Sequence, residues 1–197
     1  MDRKIKNICV FLSSGLGTNT MFTESVVDLG KYLARNQYKL VYGGANVGLM
    51  GVLADAVLEN GGEVLGVMPK NLVEKEVAHL NLPELIMTDT MYERKQLMIE
   101  KSDAFISLPG GFGTFDELFE VLTLNQLGVI HKPCAIYNVN GYYDNFLAQL
   151  DVCVNEKLLR REHVDMIISD NELISLFEKI NSYSPEKIDK WWVKKNG

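Results

Sequence analysis

The stretch LPGGFGTFDEL, Leu108 to Leu118, sets three glycines and a threonine between an apolar run and an acidic, apolar-patterned segment. The residues leading into it, DAFISL at Asp103 to Leu108, have the length and composition of a short buried strand. Those that follow, Thr114 through Leu127, have the length and apolar content of a helix. A glycine-rich turn between the two leaves backbone N–H groups uncovered at a helix N-terminus. There the aligned peptide dipoles add partial positive charge, so the loop asks for a phosphate or a carboxylate.

Working outward, the same alternation of short apolar runs and amphipathic segments covers the chain. IKNICVFL is followed by a helical pattern from Met21 to Asn36, KLVY by a helix from about Gly48 to Asn60, and EVLGVM by ELIMT and a helix from about Thr90 to Lys101. Beyond the long helix come CAIYN, a helix from Tyr142 to about Asn155, VDMIIS, and a last helix from Asn171 to Ile180. Strands alternating with helices imply crossover units and a parallel sheet covered on both faces, an α/β, Rossmann-like, doubly wound fold. Ligands in such folds collect at the carboxyl ends of the strands. The turn GGANVGLMG at Gly43 to Gly51 and the turn FLSSGLGTN at Phe11 to Asn19 follow strands at that end, so they should share one crevice with the PGGFGT loop. Gly44 and the hydroxyls of Ser13, Ser14 and Thr18 are thereby candidates for ligand contact. The spacing of Gly43, Gly44, Gly48 and Gly51 is not that of a dinucleotide fingerprint, and taken alone it equally suits a tight turn with close helix–sheet packing.

The 197 residues suit one domain, residues 1–181, followed by a tail over 182–197 that is polar apart from Ile188 and the Trp191–Trp192–Val193 cluster. With 47% hydrophobic and 23% charged residues the composition is that of a soluble globular protein. A net charge of −6 works against binding to nucleic acid or an anionic membrane. No apolar run reaches the roughly 20 residues of a membrane helix, and MDRKIKNICVFL lacks a signal peptide's apolar core, which points to the cytoplasm. Cys9, Cys134 and Cys153 form an odd set without CxxC spacing, and His79, His131 and His163 stand far apart, so reduced core thiols and no metal are expected.

With these motifs in view, PGGFGTFDE, MYERK at Met91 to Lys95 and GGANVGLMG closely resemble the PGGxGTxxE, M-x-x-R-K and GGxxxGLMG motifs of the LOG (Lonely Guy) family. Its members are cytokinin riboside 5′-monophosphate phosphoribohydrolases, and many relatives carry the label lysine decarboxylase. The resemblance runs from about Lys6 to Ile180. It implies a homodimeric Rossmann-like enzyme, without cofactor, that hydrolyses the N-glycosidic bond of a nucleoside 5′-monophosphate to free base and ribose 5-phosphate. The family's essential arginine falls on Arg94 and its essential glutamate on Glu117. Substrate contacts carry over to Lys95, to Gly110, Gly111, Gly113 and Thr114, to Thr123, and to Glu76 in VEKEVAH. Two positions depart from the pattern: L-S-S-G at Leu12 to Gly15 replaces C-G-S-S, and Tyr92 replaces a histidine. Both bear on base preference more than on the reaction.

The chemistry of the residues agrees. Breaking a ribose C1′–N bond builds positive charge on the sugar and negative charge on the departing base, so catalysis wants a carboxylate near the ribose and a cation at hand. Each residue also has a quieter reading. Thr114-Phe-Asp-Glu117 fits a capping box, in which Glu117 would only accept a backbone N–H. Arg94 and Lys95 could belong to a solvated helix face, and Glu120 could line the site, fix Arg94 or face water. A nucleotide-binding module without chemistry would keep the same loops. Lysine decarboxylation would need a Schiff-base lysine on pyridoxal phosphate, and nothing in the sequence marks one.

Overall fold

The computed structural model describes residues 5–73 and 78–185; Glu76 and the tryptophans of the tail lie outside them. Seven strands alternate with helices: β1 (Asn7–Phe11), α1 (Thr20–Arg35), β2 (Lys39–Tyr42), α2 (Gly48–Glu59), β3 (Val64–Pro69), α3 (Lys70–Val73), β4 (Glu84–Thr88), α4 (Met91–Glu100), β5 (Ala104–Ser107), α5 (Phe112–Gln126), β6 (Cys134–Tyr137), α6 (Asp144–Asn155), α7 (Arg161–Val164), β7 (Ile167–Asp170) and α8 (Leu173–Asn181). Every pairing is parallel and the spatial order is β4-β3-β2-β1-β5-β6-β7. The direction of winding reverses between β1 and β5. That is the topological switch point, where the loops leaving two adjacent strands part to opposite sides and open a crevice.

Alternate strand residues feed two cores. Ile8, Val10, Leu40, Tyr42, Ala104 and Ile106 face α1, α2 and α8 through Val26, Leu29, Leu33, Leu53, Val57 and Phe177. Cys9, Phe11, Val41, Leu65, Val67 and Phe105 face α4 and α5 through Met98 and Val121. Both faces of the sheet being covered explains why the strands read as unbroken apolar runs. Helix α1 starts where Asn19 accepts the N–H of Met21 at 3.0 Å. Its buried Val26, Leu29, Gly30 and Leu33 recur at helical spacing. Gly30 is needed there, since a Cβ would come within 2.6 Å of the Ala56 Cβ on α2.

Several element boundaries differ from the sequence expectation. The helix expected from Thr114 begins two residues earlier, with Gly111 at its N-cap and no side chain capping it. The helix expected from Tyr142 starts at Asp144, after a single 3-10 turn over Val139–Gly141 in which Asn140 has φ 52° and Gly141 φ 68°. Two short helices, α3 and α7, were not anticipated; at four residues each they carry too little periodicity to be seen. Among the described residues no helix is long and apolar enough to cross a membrane.

Candidate active site

Four segments meet at the switch point. The turn after β1 brings Leu12, Ser13 and Ser14; the turn after β2 brings Gly43 and, from α2, Met50; α4 brings Arg94; the loop after β5 and the first turns of α5 bring Gly111, Phe112, Gly113, Thr114 and Glu117. Together they line a crevice of about 250 Å³. With no side chain capping α5, the first-turn N–H groups of Phe112, Gly113 and Thr114 lack intrahelical acceptors and stand at the crevice wall. Gly110 is buried beneath them, and a Cβ on it would collide with the Thr114 side chain.

The floor is an ion pair. Arg94 Nη2 lies 3.0 Å from Glu117 Oε1, with the two side chains only 12% and 10% exposed. Arg94 Nε donates to the Val67 carbonyl at 3.2 Å and Nη1 to Met91 Sδ at 3.0 Å, so the guanidinium is tethered to β3 and to its own helix. The passage it takes exists because position 43 has no side chain: a Cβ there would collide with Arg94 Nη2 and Met50 Cε. Burial pushes the Glu117 carboxyl from its ordinary 4.5 up to about 7, against the opposing pull of Arg94; Asp116 adds to the rise. A carboxyl group whose proton affinity matches neutral pH can take up and release a proton during turnover.

The capping-box reading of Glu117 therefore fails, because Thr114 is the third residue of the helix and not its cap. The same S/T-x-x-E pattern does cap α4. Thr90 Oγ1 accepts the Glu93 N–H at 3.1 Å, and the Glu93 carboxylate accepts the Asp89 N–H at 2.9 Å. Arg94 is accordingly presented from the first turn of a helix with a firmly built start.

Lys95 points along α5, 3.0 Å from Asp116 Oδ2 and 2.9 Å from Glu120 Oε2. Burial opposes its charge, but these two carboxylates outweigh that and raise its pKa. Glu120 is thus spent on Lys95 and does not fix Arg94. Of the other sequence candidates, Ser14 lines the crevice and Ser13 turns its hydroxyl to the Gly15 N–H at 2.9 Å. Gly44 is buried behind Gly43 with φ 76°, against Met68 and Leu85, and does not line the crevice. Thr123 is exposed on α5 and likewise stands outside it, as does the exposed Thr18. Tyr92 is exposed, its hydroxyl accepting from Gln96 at 2.7 Å. Sequence reasoning missed the lining role of Met50 and the tether at Val67; the Gly43-Gly44 doublet was the available signal for the arginine's passage.

A family model described as possible lysine decarboxylase matches residues 50–180. A cytokinin riboside 5′-monophosphate phosphoribohydrolase of Arabidopsis thaliana is 39% identical over 94% of this chain and 87% of its own. A probable cytokinin riboside 5′-monophosphate phosphoribohydrolase of Oryza sativa subsp. japonica is 40% identical over 93% of this chain and 87% of its own. The chain belongs to the LOG family. Among solved structures, this LOG-family chain resembles the molybdenum cofactor binding protein of Rippkaea orientalis, with TM-score 0.68 and 21% identity over 91% of this chain and 97% of the other. It also resembles the Moco carrier protein of Chlamydomonas reinhardtii, with TM-score 0.66 and 18% identity over 90% and 98%. These two share its Rossmann-like fold.

Proposed function

We propose that the protein hydrolyses the N-glycosidic bond of a purine ribonucleoside 5′-monophosphate, a cytokinin riboside monophosphate or AMP, to the free base and ribose 5-phosphate. The observation that carries this is the buried Arg94–Glu117 pair lying in the same crevice as the uncapped start of α5. The 5′-phosphate sits against the N–H groups of Gly111, Gly113 and Thr114, where the helix dipole favours an anion. Binding energy from that unreacting group then places C1′ beside Glu117. As the C1′–N bond breaks, its electron pair leaves with the base and the sugar becomes cationic. The ionised Glu117 balances that cation and accepts a proton from the water whose oxygen bonds to C1′. The reaction carries one proton from water to the departing base, and a carboxyl near 7 can hold it in transit. Arg94 stays charged, orients the carboxylate and keeps enough of it ionised.

The lysine-decarboxylase label fits the site less well. A Schiff-base lysine reacts as the neutral amine, whereas Lys95, the lysine beside Glu117, is held charged by two carboxylates. The chain acts as a homodimer in the cytoplasm, where Cys9 and Cys134 remain buried thiols. Leu118 and Val121 of α5 are used inside the chain, but Phe119 at 48%, Leu127 at 43% and Val129 at 65% exposure leave apolar surface for a second copy. Light scattering at micromolar concentration should give twice the mass of the chain, and a monomer would contradict the pairing. The activity itself is tested by incubating purified protein with AMP, isopentenyladenosine monophosphate and the matching nucleosides, and measuring released base.

A further inference from the structure

The NGYYD turn after β6 reaches back to the glycine loop. Tyr142 donates its hydroxyl to the Gly110 carbonyl at 2.5 Å, and Tyr143 donates to the Leu108 carbonyl at 2.7 Å. The turn is itself braced: Asn138 accepts the Tyr143 N–H at 2.8 Å, donates to Asp144 at 2.7 Å, and is hydrogen-bonded through its own N–H to the Asp170 carbonyl at 2.8 Å. The rings lock edge to face, Tyr142 against Phe22 at 5.7 Å and against Tyr143 at 5.2 Å.

A trans peptide is planar, and its C=O and the next residue's N–H point in opposite directions. Fixing the Gly110 carbonyl on Tyr142 therefore fixes the Gly111 N–H pointing away from Tyr142. Gly111, together with Ser13, lines both crevices beside the loop. One is lined by Tyr142, Phe22 and Leu16; the other holds Arg94 and Glu117. The Leu108 carbonyl has no such consequence, because the following residue is Pro109, which has no N–H.

We infer that Tyr142 is a positioning residue for phosphate binding: its hydroxyl turns the Gly110–Gly111 peptide so that the Gly111 N–H faces the 5′-phosphate, while Tyr143 only anchors the end of β5. The inference rests on the reading of the glycine loop as the phosphate site. Without the hydroxyl, a glycine–glycine peptide is free to flip and present its carbonyl oxygen to the anion.

The test is calorimetric binding of ribose 5-phosphate to the wild type, Tyr142→Phe and Tyr143→Phe, with KM and kcat for AMP beside it. Tyr142→Phe should weaken ribose 5-phosphate by about 3- to 10-fold and raise KM by a similar factor, the effect of losing one well-placed hydrogen bond. Free adenine inhibition should stay as in the wild type. Tyr143→Phe should lower the melting temperature while changing ribose 5-phosphate affinity by less than about two-fold. Wild-type affinity in Tyr142→Phe, or equal weakening in both variants, overturns the inference. A wild type that binds no ribose 5-phosphate overturns the phosphate reading of the loop first, and the inference with it.

Discussion

Replacing Glu117 with glutamine should make the protein more stable above neutral pH while nearly abolishing turnover. The carboxyl moves from 4.5 to about 7 on folding, because burial disfavours its charge more than Arg94 favours it. The folded state thus binds the proton more tightly than the unfolded chain. Stability from this group is fully present below about pH 4.5 and is lost as pH rises through about 7. At roughly 1.4 kcal/mol per pKa unit, the loss amounts to about 3 kcal/mol at pH 8. For a chain of this size that is about 6 to 12 °C in melting temperature. Glutamine has the same shape, keeps an acceptor for Arg94 and does not ionise, so the variant lacks this pH dependence. Subtracting its melting curves from those of the wild type cancels the other titrating groups. The difference should be small at pH 5 and widen to the full value at pH 8, with the variant the more stable. Base release should meanwhile fall by about 10² to 10⁴, the range for removing a general acid–base group. A difference that does not change with pH would refute the burial argument, and an active Glu117→Gln enzyme would refute the mechanism.

Arg94→Ala removes the charge that holds Glu117 down, so that carboxyl should rise further above 7. Turnover at neutral pH should drop by about 10² to 10³, and the acid-side limb of the pH–rate profile, on which the rate rises as Glu117 ionises, should move to higher pH. A wild-type profile in that variant would remove Arg94 from the site. The guanidinium is too buried for the change to be silent in stability, and a loss of order 1 to 2 kcal/mol, smaller at pH 5.5 than at pH 8, should appear in denaturant titrations. Gly43→Ala meets only the ends of two flexible side chains, Arg94 and Met50, on backbone that needs no left-handed turn. It should fold, with a stability loss no larger than that of Arg94→Ala, yet lose at least about ten-fold in activity as the guanidinium is displaced from Glu117. Full activity would show that Arg94 has another path.

The layer order and the crevice were legible in the sequence because the strands are apolar on both faces and the glycine turns fall after β1, β2 and β5. The ion pair was half legible. Arg94 and Glu117 stood in motifs, but 23 positions apart nothing local says that they touch; the contact comes from α4 and α5 lying side by side under the switch point. The T-x-x-E pattern misled for a physical reason. It recurs at Thr90 and Thr114, and only the first has the extended N-cap backbone that lets threonine reach the third N–H. Tyr142 and Tyr143 read as the start of a helix, since the turn at Asn140 and Gly141 that sends them back to the loop is set by two positive φ angles. Gly44, expected at the crevice from its glycine turn, and Thr123, expected from the resemblance, stand outside the crevice of the single chain.

Whether the phosphate loop and the Arg94–Glu117 pair act on one substrate is measured most directly by a time course of AMP and of adenosine with purified protein, quantifying adenine and ribose 5-phosphate together. Adenine and ribose 5-phosphate should appear in equal amounts from AMP, with almost no adenine from adenosine. Equal rates on both would contradict the role of the phosphate loop, and no base from AMP or isopentenyladenosine monophosphate would contradict the hydrolase itself.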